Sequence, residues 1–150
     1  MKARPLAVID IGSNTIRSLI VEVLEDGSYR VLDDEREVAR LASGLNRRKR
    51  LSGAAIQKAV NALKRMADIT RARGVKRVSV VATSAIRNAS NRRLFLDRVQ
   101  AETGLRVRVI SGNEEARLGF ESAAGSFELA GRSCAVADVG GGSTEVILAL

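Results

Sequence analysis

One pattern occurs twice in this chain and constrains its fold more than any other feature. Residues 8–15 read Val-Ile-Asp-Ile-Gly-Ser-Asn-Thr, and residues 136–144 read Val-Ala-Asp-Val-Gly-Gly-Gly-Ser-Thr. Each is an apolar strand with an aspartate near its end, followed by a glycine-led polar turn that opens onto another apolar strand. The offset of 128 residues between Asp10 and Asp138 indicates two related domains, each presenting one loop to a shared ligand.

Both turns contain the residue types that hold phosphate. Glycine lets backbone N–H groups approach an anion, and serine or threonine hydroxyls add donors. An aspartate at the strand end can hold Mg²⁺, directly or through water. Either loop alone is also compatible with an ordinary hairpin turn. The two loops together favour a site for phosphate and magnesium. Neither is a Walker or dinucleotide-binding loop, because residues 140–142 lie between two strands and not before a helix.

The rest of the chain alternates strands with amphipathic segments, which is typical of the α/β class. In the second strand we expect Leu19, Val21 and Val23 to share one face. Ser52 and Gly74 are expected to cap the longest helix, and Gly104 to end the next one. The predicted elements are strands at 6–12, 16–24, 28–33 with an irregular edge continuation at 34–41, 76–83, 106–110, 133–139 and 145–150; helices at 52–73, 91–103 and 113–124; a loop at 84–91; and a linker at 125–131.

The composition excludes several kinds of chemistry. The chain has no histidine and a single cysteine, Cys134, so a Ser-His-Asp triad, a histidine-ligated metal and an internal disulfide are all ruled out. Catalysis must therefore come from carboxylates, hydroxyls, Arg, Lys, backbone N–H groups or a hard cation.

No apolar run approaches the ~20 residues of a membrane span, and the first residues lack a signal-peptide core. We expect a cytoplasmic protein with no membrane partner.

The positive charge is concentrated in the first two thirds of the chain. The net charge is +8, made of +11 over residues 1–100 and −3 over residues 101–150, and Arg outnumbers Lys by 20 to 5. The planar guanidinium group suits phosphate, so a polyanionic partner is one interpretation and a solvated surface is the other. The run Arg47-Arg48-Lys49-Arg50 is interpreted in the same two ways. Aromatics make up only 3% of the residues, which leaves no stacking platform for nucleic acid, and no DNA partner is expected.

Four segments together resemble the exopolyphosphatase / guanosine pentaphosphate phosphatase (Ppx/GppA) family, within the actin/hexokinase/Hsp70-type superfamily. Residues 10–17 resemble the family's first phosphate loop, and residues 82–91 its strand-exit motif. Residues 110–118 resemble the start of its catalytic helix, and residues 138–145 its second phosphate loop. The resemblance extends from Leu6 to Leu150, and the matching segments occur in the same order as in the family.

The resemblance implies a ribonuclease H-like, or actin-like ATPase, fold: a mixed five-stranded sheet flanked by helices, plus the first β-hairpin of a second similar domain. The corresponding boundaries are 1–125 for the first domain and 126–150 for a linker and hairpin of a shortened second one. The implied activity is metal-dependent removal of the terminal phosphate of inorganic polyphosphate, or of the 5′-γ-phosphate of guanosine pentaphosphate. The implied cofactor is Mg²⁺ or another divalent cation.

The family motifs also imply roles for single residues. Glu115 is placed as the general base, and Arg87 as a clamp on the scissile phosphate. Adjacent helix positions point about 100° apart, so Glu114 and Glu115 are not expected to face one phosphate together. The metal-side carboxylates are expected at Asp10, Asp138 and Glu145, and the phosphate-binding residues at Gly12, Ser13, Asn14, Arg17, Gly141, Gly142, Ser143 and Thr144. For Arg17, which lies in the second strand, a role in stabilising the fold is the alternative.

Two other functions stay open on the sequence. One is an actin-like ATPase or kinase, which would share the two loops. The other is a non-catalytic module that binds polyphosphate or an alarmone. The terminal hairpin has three alternatives: pairing with the first domain, exchange between chains, or disorder. We expect homodimerisation through it, because an isolated hairpin exposes apolar faces and strand edges.

Overall fold

The computed structural model describes residues 5–45, 48–129, 131 and 133–149. Four sequence expectations fall partly outside this range. They concern the first four residues, Arg47 of the basic run, residue 130 of the linker, and Leu150 at the end of the last strand.

A five-stranded mixed sheet forms the centre of the structure, as predicted. The strand order is β3-β2-β1-β4-β5, in which β1 pairs antiparallel with β2 and parallel with β4. Strands β2 and β3 are antiparallel, and β4 and β5 are parallel. The carboxyl ends of β1 and β4 therefore reach the same edge of the sheet. The strands are β1 Pro5–Ile11, β2 Thr15–Val23, β3 Tyr29–Val38, β4 Arg77–Ala82 and β5 Val107–Val109.

Four α-helices and one short 3₁₀ segment accompany the sheet. Ser52 caps the first α-helix through a hydrogen bond from Ala55 N, and Gly104 ends the third in the left-handed conformation, both as predicted. The segment expected as a loop before Asn91 contains a four-residue helix. The helices are α1 Gly53–Ala72, α2 Ser84–Arg87, α3 Arg92–Thr103 and α4 Gly112–Ser126, with the 3₁₀ turn at Ala42–Gly44.

The hydrophobic core lies on one face of this sheet, under α1 and α3. Apolar side chains of β1, β2 and β4 meet those of α1 there, and Phe95 and Val99 of α3 complete the cluster. Ile56, Val60, Leu63 and Ala67 of α1 are all buried, in agreement with the predicted apolar stripe. Among the described residues, no helix has both the length and the apolar character needed to cross a bilayer.

Leu19, Val21 and Val23, which were expected to share a face, are half-buried, buried and exposed in that order. The core-facing residues of the second strand are Ile16, Ser18 and Ile20. The register explains this, because these three residues pair with Ile11, Ile9 and Ala7 of β1, the core-facing set of that strand. Paired residues of antiparallel strands share a face of the sheet, so β1 decides the orientation of β2.

The terminal hairpin forms a separate two-stranded sheet on α4. It consists of β6 Cys134–Val139 and β7 Thr144–Ala149, and both strands contact α4. A side chain at Gly119 of α4 would lie 3.7 Å from Asp138 Oδ2. The opposite face of the hairpin is open to solvent, with Val139, Val146 and Leu148 between 65% and 77% exposed. Of the three alternatives for the hairpin, the structure therefore shows pairing with the first domain. The boundary at residues 125/126 stays a prediction; α4 itself runs one residue past it.

Candidate active site

The first phosphate loop is the tight turn between β1 and β2. The turn closes with a hydrogen bond of 3.0 Å from Gly12 N to Thr15 O. A Cβ atom at Gly12 would lie 3.0 Å from that same carbonyl oxygen, so glycine permits the turn to close this tightly. Ser13 is buried and Asn14 is exposed within the loop. Asp10 comes directly before it, near the end of β1.

The second phosphate loop repeats this geometry between β6 and β7. Gly140 N donates to Ser143 O at 2.9 Å, which is the equivalent of the bond that closes the first loop. Asp138 precedes the turn by the same spacing as Asp10 precedes Gly12. The repeated sequence pattern is therefore also a repeated structure, with an aspartate two residues before each closing glycine.

The two loops are in direct contact with each other. A Cβ atom at Gly141 would lie 2.9 Å from Asn14 Cβ, and one at Gly142 would overlap Ser13 Oγ. The buried hydroxyl of Ser84 donates a hydrogen bond of 3.1 Å to Gly142 O. Glycine in the second loop is thus required because the first loop lies so close to it. The hydrogen bond from Ser84 of α2 also holds the second loop in place.

A cavity of about 220 Å³ lies between these loops. Most of its lining is polar, including three carboxylates and the hydroxyls of both turns. Its lining residues are Asp10, Gly12, Ser13, Asn14, Thr15, Thr83, Glu115, Asp138, Gly140, Gly141, Gly142 and Ser143. The geometry brings together most of the residues predicted from the sequence.

Glu115 is held at the cavity by an arginine. Arg87 Nη1 donates to Glu115 Oε2 at 2.7 Å and to the backbone oxygen of Ile110 at 3.0 Å. Both side chains are largely withdrawn from solvent, with 23% of Arg87 and 17% of Glu115 exposed, so this charge-assisted bond is stronger than a surface ion pair. Helix α4 presents Glu115 in its first turn, where Ser111 caps the helix by accepting from Glu114 N.

The neighbouring glutamate points elsewhere, as the helical geometry predicted. Glu114 pairs with Arg108 on β5, and it is not among the cavity-lining residues. Only Glu115 of the two adjacent carboxylates therefore reaches the cavity.

Three carboxylates face one another across the cavity. The pKa of Asp10 is raised, first by its partial burial and then by the negative charges of Glu115 and Asp138. Such repulsion is relieved by a cation held between the groups. Among the described residues no three acidic side chains converge as a complete ligand set. Mg²⁺ does not require one, since it commonly takes one or two carboxylates and completes its shell with water and phosphate oxygens.

Four of the predicted site residues do not line the cavity. One is Arg87, which contacts the cavity residue Glu115. Arg17 donates two hydrogen bonds to the carboxylate of Asp34 on β3, at 2.8 Å from Nε and 2.6 Å from Nη2. These bonds lower the pKa of Asp34. Thr144 and Glu145 lie at the start of β7, where Glu145 is the cross-strand partner of Asp138. Thr15, Thr83, Ser84 and Gly140 also contribute to the site and were not predicted from the sequence. Polar side chains immediately after the central strand β4 were the signal for Thr83 and Ser84.

A family model described as the Ppx/GppA phosphatase family matches residues 19–150. The chain is 37% identical to "Exopolyphosphatase 2" of Mycobacterium tuberculosis over 95% of its own length and 47% of that protein. It is 35% identical to "Guanosine-5'-triphosphate,3'-diphosphate pyrophosphatase" of Aliivibrio fischeri, over 95% of the chain and 28% of that protein. The chain thus spans about half the length, or less, of these two relatives.

Solved structures show the same relationship in three dimensions. An exopolyphosphatase from Cytophaga hutchinsonii superposes with a TM-score of 0.92 at 30% identity, over 97% of this chain and 46% of that one. The Aquifex aeolicus PPX-GPPA enzyme gives 0.86 at 35% identity, over 97% and 48%. The ethanolamine utilization protein EutJ of Carboxydothermus hydrogenoformans gives 0.57 at 14% identity, which is a likeness of fold alone.

Proposed function

Because this chain belongs to the Ppx/GppA phosphatase family, we propose that the whole protein hydrolyses a terminal phosphoanhydride bond. The substrate is inorganic polyphosphate, cut at its end, or the 5′-γ-phosphate of guanosine pentaphosphate. The observation that carries the proposal is the position of Glu115, held by Arg87 at 2.7 Å, at a cavity walled by two phosphate loops. The names of the two curated relatives, an exopolyphosphatase and a guanosine pentaphosphate pyrophosphatase, support the same reaction class.

In this mechanism Glu115 acts as the general base. Its carboxylate accepts a proton from the water that attacks the terminal phosphorus atom, and the phosphoanhydride oxygen leaves with the shortened substrate. Arg87 orients this carboxylate and keeps it from turning towards solvent. A guanidinium carries five N–H donors, and both side-chain bonds of Arg87 within the described residues come from Nη1. Its other donors can therefore bind the transferring phosphate.

The two loops bind the phosphate chain and exclude water around it. Backbone N–H groups of the two turns, with the hydroxyls of Ser13 and Ser143, supply donors to phosphate oxygens. Ser84 keeps the second loop against the first, and this contact sets the width of the cavity. Most of the rate is expected from positioning and charge stabilisation, as in phosphoryl transfer generally.

A divalent cation is part of the proposal, and Asp10 and Asp138 are the residues that would hold it, with Glu145 beside Asp138 in support. The cavity is lined by three carboxylates and by no Lys or Arg, so a polyanionic substrate needs a counter-charge there. When bound, the cation neutralises charge on the transferring and leaving oxygens. Mg²⁺ suits this mixture of few carboxylates and many phosphate oxygens. A cytoplasmic location stays a prediction.

The test is orthophosphate release by the whole protein. We expect release from polyphosphate or guanosine pentaphosphate that depends on Mg²⁺ and stops in a chelator. The competing ATPase or kinase activity predicts ATP consumption instead, with no release from either substrate. A protein that binds both phosphate compounds and releases nothing would be the non-catalytic module, and the proposal would then be wrong.

A further inference from the structure

Thr83 is a buried residue whose hydroxyl has no partner within the protein. It comes directly after β4, and only 9% of its surface is exposed. Its hydroxyl makes no hydrogen bond to any residue that the structure describes, and it does not cap α2, although Thr83 stands at the N-cap position of that helix. Buried hydroxyls normally find a hydrogen-bond partner. The hydroxyl of Thr83 is therefore available to a ligand.

The exposed part of Thr83 lies at the cavity between the two phosphate loops. Thr83 is one of the residues that line this cavity, together with Gly12 and Glu115. In the described part of the chain, every side-chain oxygen or nitrogen that is fully shielded from solvent has a hydrogen-bond partner. Because the hydroxyl of Thr83 has no partner, it must keep some exposed surface, and the cavity supplies that surface.

The backbone around Thr83 is bonded to each of the segments that build the site. Thr83 N donates to Ile11 O at 3.2 Å, immediately before the first phosphate loop. Thr83 O accepts from Arg87 N at 2.9 Å. The carbonyl oxygen of Ala82, one residue earlier, accepts from Ile110 N at 3.0 Å, just before α4. These bonds hold Thr83 in a fixed position relative to the loop, to the arginine and to the helix that carries the proposed base.

The next hydroxyl along the chain is already engaged. Ser84 donates its hydrogen bond to Gly142 O at 3.1 Å and so holds the second phosphate loop in place. The two hydroxyls that follow β4 therefore differ in what they do. Ser84 binds the protein, whereas Thr83 leaves both its donor and its acceptor sites open towards the cavity.

We propose that the hydroxyl of Thr83 binds the terminal phosphate of the substrate by donating a hydrogen bond to one of its oxygen atoms. This inference rests on the proposed function, in which that phosphate lies in the cavity beside Glu115. The cavity lining contains three carboxylates and no Lys or Arg, so hydroxyls and N–H groups are the donors that an anion meets there. A hydrogen bond to a charged oxygen is stronger than one between neutral groups. Thr83 thus adds a prepositioned donor to those of the two loops.

The test removes the hydroxyl and keeps the shape of the side chain. In the whole protein, Thr83→Val replaces the hydroxyl by a methyl group, and Thr83→Ser keeps the hydroxyl and removes the methyl group. We expect Thr83→Val to lower kcat/KM for orthophosphate release from polyphosphate by about 10- to 100-fold. The same variant should bind tripolyphosphate with Mg²⁺ more weakly in titration calorimetry. Thr83→Ser is expected to stay within about threefold of the parent in both measurements.

Thr70→Val is the matched control, because it removes a buried hydroxyl away from the cavity. Thr70 lies in α1, and its hydroxyl donates to Ala67 O of the same helix at 2.8 Å. We expect the control to lower the free energy of unfolding and to leave phosphate release within about threefold of the parent. An equal loss of release in the two valine variants would attribute the effect to a weakened fold and overturn the inference.

Two further results would overturn the contact between Thr83 and the phosphate. One is a Thr83→Val variant that binds tripolyphosphate and releases orthophosphate as the parent does. The other is a Thr83→Ser variant that loses as much as Thr83→Val, because the methyl group and not the hydroxyl would then be responsible.

The binding measurement separates this inference from the proposed function. If the whole protein binds tripolyphosphate but releases no orthophosphate from polyphosphate or guanosine pentaphosphate, the proposed hydrolysis is wrong. Weaker binding of tripolyphosphate by Thr83→Val would then still support the contact, and unchanged binding would overturn it. If the parent does not bind tripolyphosphate, both proposals fail.

Discussion

Arg87 and Glu115, which lie 28 positions apart, meet through a hydrogen bond of 2.7 Å between Nη1 and Oε2. Arg87 is the last residue of the four-residue helix α2, and Glu115 stands in the first turn of α4. The same Nη1 also binds Ile110 O, just before α4 begins. Arg87 therefore fixes both the carboxylate and the start of the helix that carries it.

Replacing Glu115 tests its role as the base. In the whole protein, Glu115→Gln is expected to lower the rate of phosphate release by about 10²–10⁴-fold, because an amide cannot accept the proton of the attacking water. Substrate affinity should stay near that of the parent. Glu114→Gln is the matched control, since its side chain pairs with Arg108 away from the cavity. Steady-state release of orthophosphate measures both, and a Gln variant within a few-fold of the parent would contradict the assignment.

Gly142→Ala tests the contact between the two phosphate loops. The added methyl group would overlap Ser13 Oγ and lie 2.8 Å from Ser13 Cβ, so the loops must separate. We expect weaker binding of tripolyphosphate with Mg²⁺, measured by calorimetry. Gly125→Ala is the control, because nothing lies within 4 Å of its Cβ position near the end of α4. There the change should leave binding intact and stabilise the helix by about 0.5–1 kcal/mol. Equal binding by both variants would show that the loop contact is dispensable.

Asp10→Asn tests the cation site. The pKa of Asp10 is raised by burial and by Glu115 and Asp138, so its ionised form destabilises the fold at neutral pH when no cation is bound. In a chelator, the variant is expected to unfold at a higher urea concentration than the parent. Added Mg²⁺ should stabilise the parent and have little effect on the variant. Equal stabilisation of the two by Mg²⁺ would place the cation elsewhere.

The Arg17–Asp34 pair is expected to affect acid stability and not phosphate binding. Arg17 lowers the pKa of Asp34 below its ordinary value, so the folded state releases that proton more readily than the unfolded state. The resulting stability is present above the ordinary carboxyl pKa and is lost as the pH falls through the lowered value. Arg17→Gln should remove this small dependence in urea titrations between about pH 2 and pH 5. A marked loss of tripolyphosphate affinity in the same variant would contradict this prediction and show that Arg17 takes part in phosphate binding.

The open face of the terminal hairpin is expected to drive self-association. Val146 and Leu148 are 65% and 73% exposed there, on the side of the hairpin that faces away from α4. Contiguous exposed apolar surface of this kind marks an interaction site. Light scattering should give a homodimer for this chain and a monomer for the variant Val146→Lys with Leu148→Lys. A monomeric parent would contradict the prediction of a dimer.

Much of the fold follows from local patterns. Most strand and helix positions, the Ser52 and Gly104 caps and both glycine turns depend on residues close together in the chain, and these were predicted. The core-facing residues of β2 were not predicted, since its apolar residues run on both faces and the register with β1 decides between them. The short helix α2 lies between β4 and Asn91 without a periodic pattern of its own. Its contacts with β4 and with the second phosphate loop hold it in place.

The chemical resources of the site were determined by the sequence itself: carboxylates and no histidine, two glycine turns that each follow an aspartate, and an excess of arginine. The tertiary structure decided how these groups are used. It directs Glu115 to the cavity and Glu114 to Arg108, diverts Arg17 to Asp34, and brings Ser84 to Gly142 across 58 positions. The physical reason is that side-chain partners are chosen by packing between distant segments, whereas the turns and caps are chosen by backbone conformation within a few residues.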